Sequence, residues 1–174
     1  MNYNENLIRN GANLIAKFEG FRPSVYKCPA GYDTIGYGHR LLPDEHYKII
    51  TKQQAINILV EDYKLAIDSV RSVCPRIYGC ELYSIACLVF NVGSACLQAN
   101  KNLGRELRVL DKWYGSGSGS ERQAIYNVAY WMKKYVYSNK VKLHGLLLLR
   151  EAEVKFLKGQ LEYYCPKNTK QIEI

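Results

Sequence analysis

The sequence holds 174 residues, 48% of them apolar, which suits one domain with a buried core. A formal net charge of +8 implies attraction to polyanions such as nucleic acid or a bacterial wall, but the basic residues are scattered and charge alone does not choose. No run is long and apolar enough to span a membrane, no signal-like leader opens the chain, and no C-x-x-C pair has zinc-site spacing. The six cysteines, Cys28, Cys74, Cys80, Cys87, Cys96 and Cys165, read mostly as free thiols in a reducing cytoplasm, although an even count also allows three disulfides.

Residues 5–18 place Leu7, Gly11, Leu14, Ile15 and Phe18 on one face, the spacing of an amphipathic helix that ends at the acid Glu19 and Gly20. Between 21 and 42 the punctuation by Pro23, Pro29, Gly31, Gly36 and Gly38 among Val, Tyr, Thr and Ile predicts two or three short strands. The glycines on either side of Tyr37 serve either a strand that bends or a backbone that a sugar chain approaches closely. Thr51 and Gln54 form a capping box. The helix they open carries Ile56, Leu59, Val60, Tyr63, Ile67 and Val70 as one stripe and stops before Pro75. At about twenty residues it makes a rod roughly 30 Å long, able to join a hairpin lobe to a helical lobe.

The run Leu82, Ile85, Ala86, Val89 and Phe90 predicts a nearly fully buried helix over 81–90, closed by Gly93 in the left-handed conformation. A further helix covers 103–114. The alternating Gly/Ser stretch 115–120 predicts a flexible coil with the look of an inserted linker. Ser120 and Gln123 repeat the capping-box pattern before a helix with Ile125, Val128, Ala129, Met132 and Val136 inward. The last helix spans 143–157, and 159–174 reads as a polar tail or strap.

The chemistry-bearing residues concentrate near Glu19. Cys28 follows nine residues later and Thr34 six after that, so an acid on a helix end meets polar groups from a hairpin. This spacing resembles the active-site pattern of phage-type lysozymes, glycoside hydrolase family 24. So do the words Phe18-Glu19-Gly20, Pro29-Ala30-Gly31 and Thr34-Ile35-Gly36-Tyr37-Gly38-His39. The resemblance continues at Phe90-Asn91-Val92-Gly93, more weakly at Gly145-Leu146 and Arg150-Glu151-Ala152-Glu153, and spans residues 7–158.

The resemblance implies an α+β, mostly helical, lysozyme-like fold of two lobes with a cleft between them. A β-hairpin lobe at about 20–50 and a helical lobe at about 75–158, with helix 5–18, are joined by the long helix in one domain spanning 1–174. It also implies a peptidoglycan muramidase cutting between N-acetylmuramic acid and N-acetylglucosamine, without cofactor or metal. The expected protein is a monomeric endolysin held in the host cytoplasm until release to the wall. It needs no nucleic acid and no stable membrane insertion. A delivered wall-degrading toxin would share the chemistry.

Glycosidic cleavage needs a carboxyl that keeps its proton near neutral pH, which requires a raised pKa. Glu19, flanked by Phe18 and Phe21, is the expected general acid in an apolar setting. Cys28 stands where many relatives have aspartate, and a thiol titrating near about 8.5 is the weaker base for water, with Thr34 helping to hold that water. Asp33 is a rival carboxylate, but strand alternation turns it away from the Thr34 side. Tyr26, Tyr32 and Tyr37 either line the cleft as sugar-stacking rings or pack the hairpin. Tyr26, Tyr37, His39 and Asn91 are the candidate substrate-binding residues. His39 also reads as a structural hydrogen-bonder, and Asn91 either as a local helix-end bond or as a support for the Glu19 side or the hairpin.

Relatives typically carry several arginines before the Glu-Ala-Glu word, where this chain has Leu148, Leu149 and only Arg150. That departure and Cys28 favour the alternative of a catalytically weak wall-binding module of the same fold. A nucleic-acid binder would rest on charge alone.

Overall fold

The computed structural model describes residues 3–28, 31–117, 120–138 and 140–160. Pro29-Ala30, the middle of the Gly/Ser stretch, Cys165 and the tail from 161 lie outside the described residues. Helix α1 (Glu5–Glu19) opens on Asn4, whose side chain accepts the Leu7 N–H, and stops at Gly20 (φ 71°). Gly11, Leu14 and Ile15 of its predicted face are buried, while Leu7 and Phe18 sit half-buried at the rim. At Gly11 the helix packs so closely on its neighbour that a Cβ would lie 2.1 Å from the Tyr63 hydroxyl.

Three antiparallel strands follow in the order β1 (Arg22–Lys27), β2 (Asp33–Gly36) and β3 (His39–Arg40). Tyr26 pairs with Thr34 and Lys27 with Asp33, with an irregularity between Arg22 and Tyr26; Thr34 also pairs with Arg40. Helix α2 (Lys52–Val73) has both halves of the Thr51–Gln54 capping box and buries every residue of its predicted stripe. Its 22 residues touch α1, β2 and β3 as well as α3, and so tie the sheet to the helices.

Helix α3 (Gly79–Val92) runs through the centre, buried without a break from Leu82 to Val89. A helix apolar on all sides must be covered on all sides, and here α1, α2 and α6 cover it. Gly93 closes it at φ 81°, ψ 161°, the mirror-extended region that glycine alone enters easily, rather than the left-handed helical geometry expected.

Helix α4 (Asn102–Ser116) takes in two residues of the predicted coil and ends on left-handed Gly117. The helix continues because the Ser116 hydroxyl donates back to the Lys112 carbonyl and Arg76 lies over Gly115. Helix α5 (Glu121–Met132) has only half a capping box: Ser120 accepts the Gln123 N–H, but the Gln123 side chain bonds Asn127 at 2.8 Å. Val136 is buried beyond the end of that helix. A two-stranded hairpin, β4 (Tyr137–Ser138) with β5 (Val141–Lys142), has no counterpart in the sequence reading and turns at Lys140, φ 65°. Helix α6 (His144–Leu157) completes the α+β architecture and packs on α3.

Candidate active site

Because Gly20 breaks α1 immediately after Glu19, the acid stands at an open helix end rather than inside it. It opens on a pocket of about 370 Å³ lined by Glu19, Gly20, Phe21, Arg22, Pro23, Ser24 and Tyr26. The expected apolar setting beside Phe18 and Phe21 is found only in part: Glu19 is exposed, and Phe21, which lines the pocket with it, also packs on the Tyr37 ring, with centroids 5.7 Å apart.

Solvent reaches Glu19 through the pocket mouth, yet protein crowds its carboxyl. Gly38 takes φ +92°, and a Cβ there would lie 3.6 Å from Oε2, while Asn91 Nδ2 donates to Oε1 at 3.2 Å. Partial loss of water raises the pKa of Glu19 above the ordinary carboxylate value, and the Asn91 bond and the Arg150 charge oppose that rise. A carboxyl placed this way can hold a proton where a sugar oxygen can reach it.

The sheet brings Tyr26 to the same pocket. Burial raises its pKa, Arg22 opposes the rise, and the nearby Glu19 and Cys28 charges add to it, so this ring lies within electrostatic reach of both predicted partners. The Arg22 guanidinium sits 4.9 Å from its centroid. Thr34, directly across the ladder, is buried and donates its hydroxyl to the Tyr32 carbonyl at 3.1 Å. Cys28 is half-buried just past β1, where its N–H donates to Tyr32 and its carbonyl accepts from Gly31. Asp33 points outward to Lys27 at 3.0 Å, as alternation requires.

Other candidates are held elsewhere. Tyr37 is buried against Phe21, the packing alternative for that ring, and exposed Tyr32 lies under the Arg40 guanidinium. His39 has both ring nitrogens engaged, Nδ1 with Asp62 at 2.7 Å and Nε2 with Glu45 at 2.9 Å. The Asp62 bond leads in raising its pKa to about 9, so the ring is an imidazolium clasp between β3, α2 and the loop that follows the sheet. Asn91, in the last turn of α3, touches Glu19 itself.

Two functional neighbours escaped the sequence reading as site residues. Arg150 is fully buried, not a wall-facing arginine, and donates from Nη2 to Asn91 Oδ1 at 3.0 Å. Glu153, also fully buried, accepts from the same nitrogen at 2.9 Å. The available signal was an Arg–Glu pair three residues apart in a helix whose other inward residues are Leu149, Ala152, Val154, Phe156 and Leu157. A charged pair on an apolar face must find partners inside.

No disulfide joins the described cysteines. Among the described residues no three His, Cys, Asp or Glu side chains converge as a metal site, and no helix is long and apolar enough to cross a membrane.

Comparison with known proteins places the chain. The phage lysozyme family profile matches residues 16–153. An endolysin of Acyrthosiphon pisum secondary endosymbiont phage 1 is 31% identical over 147 residues, covering 82% of this chain and 91% of that protein. Among solved structures, a variant of P22 lysozyme aligns at TM-score 0.66 and 21% identity, over 91% of this chain and 99% of that one. The endolysin from Escherichia coli O157:H7 phage FAHEc1 aligns at 0.64 and 21%, over 86% and 90% of the two chains. The solved structures establish the fold, and the sequence matches establish kinship: the chain belongs to the phage lysozyme family.

Proposed function

We propose that this lysozyme-type glycoside hydrolase cleaves peptidoglycan between N-acetylmuramic acid and N-acetylglucosamine, with Glu19 as proton donor and Cys28 and Thr34 presenting water. The observation that carries the assignment is the Glu19 carboxyl at the pocket mouth, with one oxygen fixed by Asn91, Gly38 crowding the other and its pKa raised by partial loss of water. In the reaction the Glu19 proton passes to the bridging oxygen, the bond from the anomeric carbon to that oxygen breaks, and the leaving sugar departs as an alcohol. Water then adds its hydroxyl to the anomeric carbon, and its remaining proton is taken up on the enzyme. Tyr26, beside the acid and under Arg22, offers a ring to the sugar chain. Kinship with endolysins supports accumulation in the host cytoplasm and action on the wall after release, by a single copy of the chain.

The acid must be protonated, so kcat falls as pH rises through the raised pKa of Glu19. Glu19→Gln is expected to lose about 10²- to 10⁴-fold in the release of new reducing ends from purified wall. Removing a carboxyl whose ionised form the fold disfavours leaves the melting temperature equal or higher. A folded, fully lytic Glu19→Gln protein would end the acid assignment.

A further inference from the structure

Resting on Glu19 as the acid, one question is which of its two oxygens carries the proton. The answer lies in the contact between α3 and α6. The Ser84 hydroxyl donates to the Glu153 carbonyl at 2.6 Å, locking the two helices where Asn91 and Arg150 meet. Arg150 Nη2 is shared between Asn91 Oδ1 and Glu153 Oε1, and Nε lies 2.8 Å from Glu153 Oε2. With both side chains fully buried, the guanidinium has no room to swing.

A guanidinium only donates. The amide oxygen of Asn91 must therefore face Arg150, which turns the amide NH2 toward Glu19. Glu19 Oε1 receives that N–H, and the carbonyl oxygen of a protonated carboxyl is a better acceptor than its hydroxyl oxygen, so the bond favours Oε1 as the carbonyl end. A flipped amide would do the reverse: its oxygen would accept the acid's proton and draw it away from substrate.

We infer that the buried Arg150–Glu153 pair, acting through Asn91, biases the acidic proton of Glu19 toward Oε2, the oxygen beside Gly38 of the hairpin. Gly38 leaves that oxygen free of a side chain, so the glycosidic oxygen meets the proton rather than a methyl group. Arg150 and Glu153 are positioning residues. They touch no reacting atom.

The test is a cycle read on kcat and KM separately. Arg150→Met with Glu153→Leu removes the pair without stranding one charge, so the variant folds. Its kcat falls about tenfold or more with KM unchanged, the effect expected of a misplaced reacting group. Asn91→Leu lowers kcat by a similar factor, and combining all three substitutions costs no more than Asn91→Leu alone. Glu153→Gln, which keeps an acceptor for Nη2, retains kcat within about threefold. A second measurement needs no variant: the side-chain amide ¹⁵N resonance of Asn91 follows the titration of Glu19.

A folded pair variant with wild-type kcat, losses that multiply in the triple variant, or an Asn91 amide blind to that titration would each overturn the positioning role and leave the acid standing. An active Glu19→Gln would instead remove the acid and this role with it.

Discussion

Glu19 reaches the pocket from the end of a 15-residue helix and is gripped through Asn91 by side chains running into the core. Thr34 and Cys28 come from or just beyond strands of four and six residues, where most of the fastening is backbone pairing. The two sides of the site are built to different tolerances. Placing a proton on a chosen oxygen needs several side chains from distant parts of the chain, at positions 19, 91, 150 and 153, held by tight packing. In the proposed mechanism, presenting water needs only a register, which strand pairing supplies.

The most severe way to break the helical side is Glu153→Leu alone. It leaves Arg150 buried without its anion and is expected to cost about 3–5 kcal/mol in chemical denaturation. Adding Arg150→Met recovers most of that loss, because the pair is imperfectly satisfied as it stands: Arg150 Nη1 makes no hydrogen bond among the described residues.

His39 clasps the sheet to α2 and to the loop carrying Glu45, so the next prediction concerns pH. Its pKa is raised from 6.5 to about 9 in the fold, so its contribution is fully present below 6.5 and is lost as pH rises through about 9. The shift alone implies roughly 3 kcal/mol, and solvent around the two partly exposed carboxylates reduces this to ~2 kcal/mol. Melting temperatures across that window should fall in the wild type and stay flatter in Asp62→Asn.

On the hairpin side, Cys28→Asp is expected to keep or raise activity near neutral pH, by up to about tenfold, since aspartate is ionised there and an ordinary thiol is not. A folded but dead variant would point to a role that only sulfur can fill. Smallest is Thr34→Val, which removes the bond to the Tyr32 carbonyl at ~1 kcal/mol of stability and lowers kcat by less than about tenfold.

Much of this is legible in the sequence. The stripe on α2 and its capping box are local patterns with period 3.6 and a fixed offset, and both appear as read. Alternation placed Thr34 inward and Asp33 outward. Two of the misses share a cause. The end of α4 and the half-formed cap of α5 each depend on whether a side chain finds a nearer partner than the pattern assumes, as Ser116 does in the Lys112 carbonyl and Gln123 in Asn127.

Residue order alone determined the kind of chain this is: helices where apolar positions recur, strands where glycine and proline interrupt, and an acid, a thiol and a hydroxyl at a spacing shared with phage lysozymes. Only the folded molecule decided what surrounds the acid. Gly20 leaves Glu19 at an open mouth, the clasp on His39 occupies that ring, and a buried arginine, 131 residues further along the chain than Glu19, turns the Asn91 amide toward it. Those are long-range matters because a buried charge or amide takes whatever partner packing brings within 3 Å, and sequence spacing carries no record of that distance.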